Sequence, residues 1–160
     1  MSELDGLYQQ VILDHARARD GYGLAVEEGP TATSHQHNPM CGDDLTVRVR
    51  LAGDRIRDVS WEGSGCTISQ ASASMLVGLV EGQTPADAEK LIGEFRDAQR
   101  SRGAVELDED RFGDAAALSG VSKFTARVKC AMLAWVAFED ALTRAAGVVP
   151  TAPPAIRPAG

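Results

Sequence analysis

Cysteine is scarce in this chain. Three thiols in 160 residues, Cys41, Cys66 and Cys130, are too few and odd in number for the disulfide framework that staples small secreted domains. Long apolar runs are missing as well. Nothing approaches the roughly 18 consecutive apolar residues that a membrane-spanning helix needs, and Met1 to Asp5 lacks the basic start and apolar centre of a secretory signal. Positive charge is in short supply: 16 Lys and Arg stand against 23 Asp and Glu, a net charge of -7. The long-range field therefore repels phosphate backbones and anionic headgroups, which argues against nucleic acid and membrane surfaces as partners. These shortages together predict a cytoplasmic protein.

The material that is present suits one domain and a tail. A hydrophobic fraction of 44% over 160 residues is enough for one core of ordinary domain size. The domain is expected over 1–147. Beyond it "VVPTAPPAIRPAG", 148–160, holds four of the seven prolines and little core material, so a disordered proline-rich tail is expected there.

Periodicity sketches the elements. In "ELDGLYQQVILDHARA", Leu7, Tyr8, Val11, Ile12 and His15 recur at helical spacing, and Gly21 and Gly23 end the run. Leu45, Val47, Val49 and Leu51 alternate with Thr46, Arg48 and Arg50 as in a half-buried strand. "AGD" at 52–54 is a turn, and Ile56 to Trp61 returns antiparallel. Between Gly23 and His37 the pattern is less legible: the candidate strand is Ala25 to Glu27, and "TATSHQHN" reads as a polar loop.

After "EGSG" the period changes, with a helix starting at or just after Cys66. Another starts at "TPADAEK", with Thr84 as N-cap and Pro85 in the first helical position, and runs to about Gln99. Residues 101–114 are charged and glycine-punctuated and read as a surface excursion. From Ser122 a long helix carries Phe124, Val128, Ala131, Met132, Trp135, Phe138 and Leu142 on one stripe, until Gly147.

Cys41, Asp43, Cys66 and Cys130 are the candidate metal ligands. Zinc accepts thiolate and carboxylate together in a tetrahedral shell, at about 2.3 Å to sulfur and about 2.0–2.2 Å to oxygen. Gly42 lets the chain turn sharply enough for Cys41 and Asp43 to face one point. Cys66 falls at a helix N-terminus, where unpaired N–H groups favour a thiolate. Cys130 is expected off the apolar stripe, with Arg127 one turn earlier on its face.

Isolated cysteines are also ordinary small buried hydrophobes. The intervals of one, 22 and 63 residues between the four candidates match no zinc-finger spacing. Spacing alone leaves packing and metal binding both open. His35 and His37 are rival ligands if their segment is extended, since alternate strand residues share a face; as loop residues they are simply solvated. His15 reads as a helix-face residue with a local hydrogen bond, and Asp44 as a solvated neighbour.

Four phrases, "LYQQVILDH", "NPMCGDDLTV", "GSGCTISQASASML" and "RVKCAMLAW", resemble the IscU-like group of iron-sulfur cluster biogenesis proteins, and specifically its SufU branch. The resemblance implies an α+β fold, a small antiparallel sheet packed on one side by helices, with a metal site at one exposed end. It implies Cys41, Asp43, Cys66 and Cys130 as zinc ligands, and Cys41 as the thiol that takes persulfide sulfur from a cysteine desulfurase of the SufS type. A histidine of that desulfurase is expected to displace Cys41 from the metal, and a downstream cluster-assembly scaffold complex to receive the sulfur.

Scaffold members of the group carry a histidine immediately before the third cysteine and a proline-rich chaperone-binding motif. Here that position is Lys129, and "GVSKFTARVKC" lacks the motif. Glu94 to Asp114 resembles an insert of the SufU branch, and Arg127 matches a basic, supporting position there. "ARARDGYG" departs from the family's usual Tyr and Pro-Arg-Asn segment. Two other readings use the same ligands: a scaffold that assembles an iron-sulfur cluster on them, and a structural zinc module that binds a partner.

Overall fold

Strict alternation dictates the middle of the sheet. In the computed structural model, which describes residues 3–40 and 42–147, Leu45, Val47 and Val49 are almost wholly buried on strand β2 (Asp43–Ala52). β2 pairs antiparallel with β1 (Thr31–Asn38) on one side and with β3 (Arg55–Ser64) on the other, in the order β1-β2-β3. The turn at 52–54 and the antiparallel return fall where the alternation puts them.

The helices are α1 (Glu3–Ala18), α2 (Thr67–Val80), α3 (Pro85–Arg100), a single turn α4 (Glu109–Phe112) and α5 (Thr125–Ala145). Thr84 caps α3 by accepting the Asp87 N–H through its hydroxyl, as its position before Pro85 requires. α5 lies across β1 and β2, α2 against β3, and α1 against α2. Phe95 of α3 stacks on Trp135 of α5 with ring centroids 4.0 Å apart and planes 7° from parallel. Fully burying a side chain of this size stabilises the fold by roughly 1.5–3 kcal/mol. The sheet is thus covered by helices on one face, in an α+β arrangement.

Several expectations need correction. "TATSHQHN" is strand β1 rather than a loop, and Ala25–Glu27 is not a strand. That segment crosses the outer face of the sheet, where the Arg48 and Arg50 guanidiniums donate to the Ala25 and Val26 carbonyls. The excursion at 101–114 is partly interior: Leu107 and Phe112 are buried, and α4 lies within it. A 3-10 stretch, Gly113–Lys123, follows and buries Ala115 to Leu118. The first part of Glu94–Asp114 belongs to α3 itself.

Phe124 is exposed ahead of α5, and Leu7 is exposed on α1. His15 bonds at long range, to the Ser74 hydroxyl at 2.8 Å and the Asp114 carboxylate at 2.8 Å, and so ties α1 to α2 and to the 3-10 stretch. The expected proline-rich tail at 148–160 lies outside the described residues, as does Cys41. Among the described residues no helix is long and apolar enough to cross a membrane.

Candidate metal centre

The β1–β2 hairpin closes with Asn38 paired to Asp43. Gly42 donates its N–H to the Asn38 carbonyl at 2.8 Å and sits at φ +72°, left-handed backbone that glycine adopts without penalty. The connection at 39–42 contains Cys41, which is outside the described residues; its neighbour Met40 is 80% exposed. Asp43, the first residue of β2, turns inward and is completely buried, whereas Asp44 turns outward.

The far end of β3 brings the chain back to the same point. After Ser64, Gly65 leads into Cys66, the N-cap of α2, whose side chain makes no capping bond. The carboxylate of Asp43 supplies that acceptor from the neighbouring strand. Oδ1 takes the Cys66 N–H at 2.9 Å and Oδ2 takes the Ser69 hydroxyl at 2.7 Å. The approach is close enough that a Cβ on Gly65 would lie 2.8 Å from Asp43 Oδ1, so a side chain at 65 would push the carboxylate away.

Cys130 completes the group from the second turn of α5 and is wholly buried. This corrects the expectation that it lies off the apolar stripe: α5 is covered by the sheet, α2, α3 and the 3-10 stretch, and its buried surface extends well beyond one stripe. One ligand atom each from Asp43, Cys66 and Cys130 lies within 4.8 Å of the others, and among the described residues this is the group of its kind.

Burial pushes the Cys66 thiol up. Hydrogen bonds from the Ser69 hydroxyl and backbone and from Cys130 outweigh burial and the Asp43 charge, and hold the thiol below its ordinary range. Arg127 is exposed and takes no part in that balance. It lines, with Cys66, Tyr8, Ile12, Lys123 and Phe124, a groove of about 820 Å³ between α1 and the start of α5.

The remaining candidates are elsewhere. His35 and His37 lie on the outer face of β1 and pair with Asp44, at 2.6 and 3.6 Å. Strand alternation that sends Asp43 inward keeps Asp44 and both histidines away from the half-buried Cys66 and the buried Cys130. Ser69 is the residue that sequence reasoning missed. Its signal is its place three residues after Cys66, in the first turn of α2, where hydroxyls commonly satisfy local polar groups.

A carboxylate buried between two thiols and two hydrogen-bond donors, with no ion pair to a cationic side chain among the described residues, fits a cation. Charges that leave water are paired with opposite charge or coordinate metal, and two soft sulfurs with one hard oxygen suit a borderline ion such as zinc. The fold and this donor set define an α+β domain with a carboxylate and two thiols gathered at one end of its sheet, a group that could hold a metal ion. The chain matches the NifU-like N-terminal domain over residues 7–131 and belongs to that family.

Its relatives include a zinc-dependent sulfurtransferase and proteins named as iron-sulfur cluster assembly scaffolds. It is 36% identical to the zinc-dependent sulfurtransferase SufU of Bacillus subtilis, over 91% of this chain and 96% of that one. It is also 36% identical to the iron-sulfur cluster assembly scaffold protein IscU of Streptococcus pyogenes, over 91% and 89%. Among solved structures it resembles a candidate scaffold protein for the SUF system from Fervidobacterium islandicum. That likeness has a TM-score of 0.72 and 31% identity, and covers 83% of this chain and 94% of the other.

Proposed function

We propose that this protein is a zinc-dependent sulfurtransferase of iron-sulfur cluster assembly, working in the cytoplasm with a cysteine desulfurase of the SufS type and passing sulfur to a downstream scaffold complex. Asp43, Cys66 and Cys130 hold the metal with Cys41 as fourth ligand, and Arg127 supports the site from the groove rim. The observation that carries this reading is the convergence of a fully buried Asp43 with two thiols, in a chain similar over 91% of its length to a zinc-dependent sulfurtransferase. Zinc, when bound, supplies a fixed divalent charge that keeps thiols deprotonated and brings no redox chemistry of its own.

The chain's residues divide the remaining work. Asp43 is held by the Cys66 N–H and the Ser69 hydroxyl and is a fixed ligand; Cys66 and Cys130 are anchored by helices. Cys41 stands in the sequence between exposed Met40 and Gly42, in the connection between β1 and β2, and is the member assigned the role of nucleophile. Its thiolate attacks the outer sulfur of the desulfurase's cysteine persulfide. The new bond joins that sulfur to Cys41, the old S–S bond breaks, and the desulfurase cysteine leaves as thiolate.

The test mixes the zinc-loaded protein with a desulfurase and cysteine and follows intact mass. One added sulfur per chain, absent in Cys41→Ala, is the expected result. A brown protein carrying iron and sulfide, with no sulfur on Cys41, would establish the scaffold reading, which the names of relatives such as the Streptococcus pyogenes protein favour. A zinc protein that takes no sulfur and leaves desulfurase turnover unchanged would establish a structural module.

A further inference from the structure

The outer face of the sheet is covered only in part. The segment at 24–28 lies over Arg48, Arg50 and Ser60, held by bonds to the Ala25 and Val26 carbonyls and from the Ala25 N–H. Toward the hairpin end the same face is open, and there it carries His35, His37, Asp44 and Glu62. His37 is directly opposite Asp44 in the β1–β2 register, His35 is opposite Thr46, and Thr46 is opposite Glu62. Strand parity therefore places two imidazoles and a carboxylate on one open surface, with a second acid nearby.

We propose that His35, His37 and Asp44 form a second, exchangeable site for a borderline divalent ion, separate from the buried thiolate centre. Each carboxylate oxygen of Asp44 already faces a different imidazole: Oδ1 lies 2.6 Å from His35 Nε2 and Oδ2 lies 3.6 Å from His37 Nδ1. Two ligands on one tetrahedral zinc stand about 3.3 Å apart, given bonds of about 2.0–2.2 Å; the two Asp44–imidazole separations bracket that distance, while the three ligand atoms do not yet all lie within 4.8 Å of one another, so the imidazoles must draw together to share an ion. Two neutral imidazoles with a carboxylate select zinc, nickel or copper over magnesium or calcium.

The side chains of His35, His37 and Asp44 are 56%, 51% and 46% exposed, so each is free of packing that would oppose the rotation needed to bring them onto one ion. Their exposure makes binding reversible. Glu62 and the chain's net charge of -7 raise the local cation concentration.

The site is independent of the sulfur-transfer reading, and its test separates the two. Untagged full-length protein and the variant His35→Ala/His37→Ala are titrated with zinc, and ions per chain are counted by native mass spectrometry. The parent is expected to carry one ion more than the variant at micromolar free zinc, with the variant's affinity for that ion at least tenfold lower. Asp44→Asn should fall between them. Equal counts for parent and double variant at every zinc concentration would overturn the proposal. Because both proteins share the same cysteines, the difference is unaffected by whether the buried centre holds zinc. Both histidines are exposed, and circular dichroism of the variant should match the parent.

Discussion

Asp43 and Asp44 are neighbours with identical side chains and opposite circumstances. Asp43 is wholly buried, accepts two hydrogen bonds and faces two thiols; Asp44 is half-exposed and pairs with two histidines across the outer face. Nothing in the residue type distinguishes them. The difference is one step of strand parity, fixed by Leu45, Val47 and Val49, whose burial sets which side of β2 is the interior. The buried position of Asp43 beside the two thiols is therefore specified partly by residues outside that group: the apolar face of β2 aims Asp43, and Gly65 leaves it room.

The largest break in that comparison is Asp43→Ala. It leaves the Cys66 N–H and the Ser69 hydroxyl without their acceptor, at about 1–3 kcal/mol for each unsatisfied buried group, and removes the carboxylate from the proposed metal site. Chemical denaturation should show a loss of about 2–4 kcal/mol, and metal analysis after dialysis a zinc content well below the parent's. Asp44→Ala should change stability by no more than about 0.5 kcal/mol and leave tightly held zinc unaltered. If the two variants behaved alike, parity would not be what separates them.

Gly65→Ala sharpens the same point without changing a ligand. The added Cβ would meet Asp43 Oδ1 at 2.8 Å and the Ser69 Cβ at 3.2 Å, so carboxylate and helix start must part. Overpacking of this kind costs typically about 1–3 kcal/mol. Zinc retention should fall although every donor is still present, and a variant that retained zinc as the parent does would show that the cradle tolerates expansion.

Much of this arrangement could be read from sequence where one physical signal dominates. β2 and β3 announce themselves by alternation, and α3 by Thr84 and Pro85. Asp43 and the two described cysteines stand out as the chain's unusual donors. β1 escaped because it is an edge strand whose inward residues, Ala32, Ser34, Gln36 and Asn38, are small or polar, leaving no alternation in hydrophobicity to see. The 3-10 stretch escaped because alanines carry little periodic signal, yet it buries Ala115 to Leu118. Cys130 was misplaced because a helix covered on several sides has no single apolar stripe. Ser69 was overlooked because its partner lies on a strand 26 residues away, a distance that local pattern does not span.

The smallest expected effect is Ser69→Ala, and it concerns protons. Ser69 bonds to Asp43 Oδ2 and lies 3.5 Å from Cys66 Sγ. Burial raises the Cys66 thiol, and the Ser69 bonds are foremost among those that bring it below the ordinary value. Removing the hydroxyl should let burial reassert itself and shift the pH profile for alkylation of Cys66 in metal-stripped protein toward alkaline pH. The sign for stability follows. A thiol whose folded pKa is depressed stabilises the metal-free fold above the unfolded value of about 8.5, and that contribution disappears as pH falls through the lower folded value. In Ser69→Ala the gap between the two narrows, so the metal-free variant should lose less stability than the parent on going from alkaline to neutral pH. Asp44→Ala, on the opposite face, should leave both the alkylation profile and this slope where they are; a shift there as large as that of Ser69→Ala would mean that the two faces of β2 are electrostatically one site.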